Sequence, residues 1–85
     1  MKRIDIFELI IKERERQDKK WGNMPKHLSD VIWFTILLEE VGEVAQDILK
    51  QNWQHIKIEL IQVLAVGVSW LEDEENHDNG LYKVG

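Results

Sequence analysis

Positions 58 to 71 read IELIQVLAVGVSWL, and this stretch restricts the fold more than any other part of the chain. Its only polar residues are Glu59, Gln62 and Ser69. A helix turns about 100° per residue, so the apolar positions cover nearly its whole circumference. That pattern belongs to a buried helix. A chain of 85 residues has few other elements with which to bury it.

Those elements are helical too. Ile4, Phe7 and Ile11, together with Ile6 and Ile10, recur at helical spacing and predict helix one over about 3–19. Ser29 or Asp30 is a suitable N-cap for helix two. Helix two is expected over about 30–50, with Trp33, Leu37, Val41, Val44 and Ile48 on one stripe. KQNWQH reads as a short connection, and helix three runs over about 54–73. WGNMPKHLSD, which holds the single proline Pro25, reads as a loop, and the polar segment from about 74 to 85 reads as a loose tail. Nothing alternates with period two for long. The expected fold is all-α: one domain over 1–85, a small helical bundle of three main helices. Two helices cannot wrap the third, and a domain this small buries only about 60% of its unfolded surface. A second copy is expected to complete a four-helix-bundle-type core, in a dimer or tetramer.

Composition narrows the partners. The chain is 44% apolar with four tryptophans, ample for a core. It has no cysteine, which excludes a disulfide framework and a thiolate zinc site and fits a reducing cytoplasm. The start, MKRIDIFELI, is interrupted by Asp5 and Glu8 and is not a secretory signal. The apolar run at 63–71 is far short of the roughly 20 residues a bilayer span needs. A formal net charge of -5 argues against a nucleic-acid polymer, whose binding is driven by Lys and Arg on phosphates. It allows a small phosphorylated ligand if a divalent cation stands between the two.

The acids of EEVGEVAQDIL, 39–49, are unusually placed. With Glu39 at zero, Glu43 lies near 40° and Glu40 near 100°, so the three share a face about a quarter-turn wide. Glu59 and Gln62, spaced i, i+3, share a face of helix three. Acid pairs on helices most often mark a solvated face. Here they interrupt an apolar stripe, and a second polar set follows at the distance of a helical hairpin. If helices two and three pack antiparallel, the sets meet, and a carboxylate cluster among apolar faces needs a counter-ion. Oxygen donors without thiolates select a hard cation, Mg²⁺ with Mn²⁺ as the alternative. Asp47, one turn beyond Glu43, could join as a ligand or as support. Gly42 either admits a close neighbour or substrate, or serves tight helix packing; Gly67 has only the packing role.

EEVGE followed by ELIQ resembles the EExxE…ExxD signature of the MazG-like all-α nucleoside triphosphate pyrophosphohydrolases, relatives of the all-α dUTPases. ERERQDKKWG, 13–22, is similar to the ER-x-RQ-x-x-KWG segment of a small single-domain branch. The resemblance spans about 13–73. It implies Mg²⁺-dependent hydrolysis of a nucleoside triphosphate, deoxy or non-standard in many members, to the monophosphate and pyrophosphate. It implies dimers or tetramers of helical hairpins. It carries metal ligation to Glu40, Glu43 and Glu59, with Glu39 beside them, and leaves Gln62 where the family has Asp. Gln62 offers a neutral carbonyl oxygen in place of a charge. Glu40 or Glu43 is the expected proton acceptor.

The same resemblance gives Arg16 and Lys20 the phosphates, and Gln17 and Trp21 the base or sugar. Without it, the lysines serve to offset the helix dipole, and Trp21 is as well read as a core or interface residue. Trp33, Trp53 and Trp70 are expected to pack. His27 lies in the loop near the expected substrate, His55 is i−4 from Glu59 and can hydrogen-bond it, and Glu74 with His77 falls in the polar tail. The departure at Gln62 leaves an alternative: a weak or inactive relative that acts as a helical nucleotide-binding or interaction module.

Overall fold

The computed structural model describes residues 1–22 and 28–74, and these are all-α. Three helices follow in order: α1 (Arg3–Trp21), α2 (Asp30–Leu49) and α3 (Trp53–Glu74). Each lies within two residues of the span that its periodicity predicts. Pro25, His27, His77 and the polar tail beyond Glu74 lie outside the described residues.

Local chemistry sets the helix ends. The Lys2 backbone N–H donates to Asp5 Oδ2 at 3.2 Å, which holds the first turn of α1. The helix stops at Gly22, whose φ of +73° is readily reached only by glycine. Ser29, not Asp30, caps α2: its Oγ accepts from the Ile32 N–H at 3.3 Å. At the other end of α2, Gln51 takes a positive φ of 57°. Its N–H donates to the Ile48 carbonyl at 3.1 Å, and the Asn52 N–H donates to the Asp47 carbonyl at 2.9 Å. This is a Schellman turn with glutamine where glycine is usual.

The turn makes the connection shorter than KQNWQH suggests. The Asn52 carbonyl accepts from the His55 and Ile56 N–H groups at 3.1 and 3.2 Å, so α3 already starts at Trp53. Trp53 is therefore a first-turn residue, 60% exposed, and not the packing residue expected.

α2 and α3 form an antiparallel hairpin. Trp33 near the start of α2 donates its Nε1–H to Asp73 near the end of α3 at 2.6 Å, while Asp47 meets His55 at the turn. Trp70 adds a second tie, donating to Asp30 Oδ1 at 3.0 Å and Glu74 Oε1 at 3.3 Å. α1 packs on α3 as well, and α3 is the central helix between the other two. Arg14 of α1 reaches Glu72 of α3 at 2.9 Å.

Among the described residues, the buried apolar ones are Ile10, Trp33, Ala65 and Val66. Only part of each predicted stripe turns inward. On α1, Ile10 is buried and Ile6 half-buried, while Ile4, Phe7 and Ile11 stay exposed. On α2, Trp33, Leu37 and Val44 face α3, but Val41 and Ile48 join Val31, Phe34 and Leu38 on an exposed apolar face. On α3, Leu60, Leu64 and Leu71 are exposed. Among the described residues, no helix is long and apolar enough to cross a membrane.

Candidate functional site

The hairpin brings the acids of α2 and α3 together. Glu40 and Glu43, one turn apart, share a face of α2, and the antiparallel return of the chain sets Glu59 of α3 opposite them. One carboxylate oxygen from each of the three lies within 4.8 Å of the others. Glu59 is only 5% exposed, and Glu40 is half-buried. Glu40 Oε2 and Glu59 Oε2 are buried without a hydrogen-bond partner.

Electrostatics follow from that crowding. Burial pushes the Glu59 carboxyl up to about 7, helped by hydrogen bonding to Glu43 and by the charges of Glu43 and Glu40. Burial, then the charge of Glu43, raises the Glu40 carboxyl as well. Without a cation, Glu59 shares its proton with a cluster that resists full ionisation near neutral pH. The donors are carboxylate oxygens in a converging set, and Glu40 and Glu59 each keep a buried Oε2 to which no other group among the described residues donates. Both properties fit a hard divalent cation. Glu39 is exposed and outside the converging set; its charge acts on Glu40 from a distance.

Beside the acids runs a groove of about 220 Å³ between α1 and α2, with α3 as its floor. Glu13, Arg16, Gln17, Lys20 and Trp21 line one wall, Trp33, Ile36 and Glu40 the other, and Gln62, Val66 and Ser69 the floor. Every residue that the resemblance assigns to substrate therefore lines one space with Glu40 and Gln62. Two of the polar groups are held in place. Arg16 makes a two-pronged contact with Glu13, Nη2 to Oε2 at 2.6 Å and Nε to Oε1 at 2.9 Å, and this pairing holds the Glu13 carboxyl below its ordinary range. Gln17 accepts from Arg14 Nη1 at 3.0 Å and donates to Glu13 Oε2 at 3.2 Å.

Some expectations are corrected. Gly42 is exposed, and a Cβ added to it would meet nothing within 4 Å; neither close approach nor tight packing explains it within one chain. Gly67 is half-buried, yet a Cβ added to it would also meet nothing within 4 Å; it borders an open apolar depression lined by Leu64, Val68 and Leu71. His55 does more than approach Glu59. Its Nδ1 is 2.8 Å from Asp47 Oδ2 and 3.7 Å from Glu59 Oε1. Continuing the acid face of helix two to Asp47, and across a tight turn to the first turn of helix three, would have exposed that grouping. Asp73, buried and bonded to Trp33 and to the Leu28 N–H at 3.0 Å, had no such signal: in sequence it is one acid in a polar run. Comparison with family models, with curated proteins and with solved structures found no match for this chain.

Proposed function

We propose that the chain is an Mg²⁺-dependent nucleoside triphosphate pyrophosphohydrolase of the MazG-like type, acting on deoxy or non-standard nucleotides. The observation that carries this is the convergence of Glu40, Glu43 and Glu59, two of which keep a buried oxygen without a donor, beside a groove lined by Arg16, Lys20 and Trp21. Such a cluster repels a triphosphate, and a bound cation would bridge the two and polarise the α-phosphoryl group. Glu40 belongs to both the acid set and the groove wall, which favours it as the group that takes a proton from the attacking water. The water oxygen bonds to the α-phosphorus, the bond from that phosphorus to the bridging oxygen breaks, and pyrophosphate leaves with the electron pair. Arg16 and Lys20 offset phosphate charge, and Trp21 offers a ring face to a base, a contact worth about 1–3 kcal/mol in nucleic-acid systems.

The test is release of pyrophosphate from a panel of common and oxidised nucleotides, with Mg²⁺ titrated from zero. Turnover that requires Mg²⁺ and disappears in Glu43→Ala supports the proposal. Absence of pyrophosphate from the whole panel would overturn it. Gln62 favours a second reading, in which the nucleotide binds without turnover; calorimetry with nucleotide and Mg²⁺ separates that outcome from no binding at all.

The reading includes self-association. The exposed apolar faces of α2 and α3, with Phe34, Leu38, Leu64 and Leu71 among their residues, support burial against a second copy. Light scattering at micromolar protein should give a dimer or tetramer, and Leu38→Glu should shift it toward monomer. A well-folded wild-type monomer would remove this part.

A further inference from the structure

The Schellman turn gathers a second set of donors that the proposed hydrolysis does not use. Asp47 sits in the last turn of α2, His55 in the first turn of α3, and Glu59 one turn further on. One ligand atom from each lies within 4.8 Å of the others. His55 Nδ1 is 2.8 Å from Asp47 Oδ2 and 3.7 Å from Glu59 Oε1. Asp47 and Glu59 are both buried, whereas His55 remains exposed and gives the set a route to solvent.

An Asp–His hydrogen bond alone would account for Asp47 and His55. It does not account for Glu59. That side chain is more than nine-tenths buried, its Oε1 lies 3.7 Å from His55 Nδ1, and its Oε2 is buried with no hydrogen-bond donor to it among the described residues. Asp47 takes the imidazole at 2.8 Å, so Glu59, buried and 3.7 Å from the same ring, has no hydrogen bond from it, and its ionised form is costly to bury uncompensated. A cation would stabilise that ionised form in place of a proton.

The donor type decides which cation. Glu40, Glu43 and Glu59 offer oxygen only, which suits Mg²⁺. Replacing two of those carboxylates by Asp47 and an imidazole adds a nitrogen ligand, and nitrogen with carboxylate suits Mn²⁺, Co²⁺ and Zn²⁺, in rising order of affinity. We propose that Asp47, His55 and Glu59 form a second cation site that takes a divalent transition cation in preference to Mg²⁺. Glu59 belongs to both sets, so it would serve as a carboxylate shared between two ions. The inference shares that residue with the proposed Mg²⁺ set but does not depend on hydrolysis.

The experiment titrates Zn²⁺ and Mg²⁺ separately into the metal-free full chain by calorimetry, and follows the His55 ring nitrogens by NMR on Zn²⁺ addition. Zn²⁺ should bind at least about 10-fold more tightly than Mg²⁺ and should shift the His55 ring resonances at stoichiometric metal. His55→Ala should weaken Zn²⁺ binding by about 10- to 100-fold or more, the range seen even for groups that only support a metal ligand, and should leave Mg²⁺ binding unchanged. Asp47→Asn should weaken Zn²⁺ binding in the same direction. Unchanged Zn²⁺ affinity in His55→Ala, or His55 ring signals unmoved by Zn²⁺, would overturn the proposal. If either variant fails to fold, the ring signals of the wild type decide alone. Zn²⁺ binding that depends on His55, in a protein that releases no pyrophosphate, would sink the hydrolase reading and support this one; pyrophosphate release with His55-independent Zn²⁺ binding would do the reverse.

Discussion

Glu59→Gln should lower Mg²⁺-dependent turnover by about 100-fold or more and, at the same time, make the metal-free protein more stable above pH 7. Loss of a group that merely supports a metal ligand already costs about 10- to 100-fold, and a direct ligand should cost at least as much. The stability half follows from burial. Glu59 is 5% exposed, and burial first, then Glu43 and Glu40, push its carboxyl from the ordinary 4.5 to about 7. The folded protein therefore binds this proton more tightly than the unfolded chain does. Its contribution to stability is full below about pH 4.5 and is lost as pH rises through about 7. Glutamine carries no such proton, so the variant should lose most of the fall in melting temperature between pH 5 and 8. A gain of about 1 kcal/mol corresponds to roughly 4–8 °C in a domain this small. Glu40 and His55, both raised, leave a residual slope of the same sign. Thermal melts without metal across that range, with pyrophosphate release at saturating Mg²⁺, make the check. An unchanged pH slope would mean that the carboxyl is hydrated, and unchanged turnover would mean that the chemistry lies elsewhere.

Asp73→Ala should be among the most destabilising changes to a polar side chain in the hairpin, at about 2–3 kcal/mol. The Asp73 carboxylate accepts from the Trp33 indole at 2.6 Å and from the Leu28 N–H at 3.0 Å, and it is 5% exposed. Alanine leaves a buried indole N–H and a part-buried backbone N–H without this acceptor. A buried donor left unsatisfied costs about 1–3 kcal/mol. Trp33→Phe removes one of the two bonds and should cost less in hydrogen bonding, with the ring still packed. Asp73→Asn keeps an acceptor oxygen and should lie between wild type and alanine. Urea melts at one fixed protomer concentration compare the variants fairly, because self-association would make stability concentration-dependent. A loss below about 0.5 kcal/mol, the level of an ordinary surface substitution, would show that water replaces the carboxylate.

Much of the hairpin could be read in advance because its signals are local. The helix spans follow from apolar residues every three or four positions, and Ser29 is a capping residue just before such a run. Gln51 gave no warning: its left-handed backbone is imposed by the turn, where glycine would be the usual signal. The single apolar stripe drawn on α2 was too simple. Val41 and Ile48 lie about 60–80° from Trp33 on the wheel, and which edge of a broad apolar face turns inward depends on what packs against it.

The sequence by itself determined three helices, the third apolar nearly all round, with an acidic face on the second and Glu59 and Gln62 on one face of the third, because helix formation and facial spacing are set within a few residues. It also left too few elements to cover the third helix. Only the tertiary structure decided which acids converge. Glu40, Glu43 and Glu59 meet and Glu39 does not: Glu40 is turned about 100° from Glu39 into the hairpin, and Glu43, though exposed, lies at the edge of that face one turn on, toward Glu59. The same folding put His55 against Asp47 and Asp73 against Trp33. Those pairs lie 8 and 40 positions apart in sequence, a separation that no local periodicity connects and that only the antiparallel packing of two helices brings within a hydrogen bond.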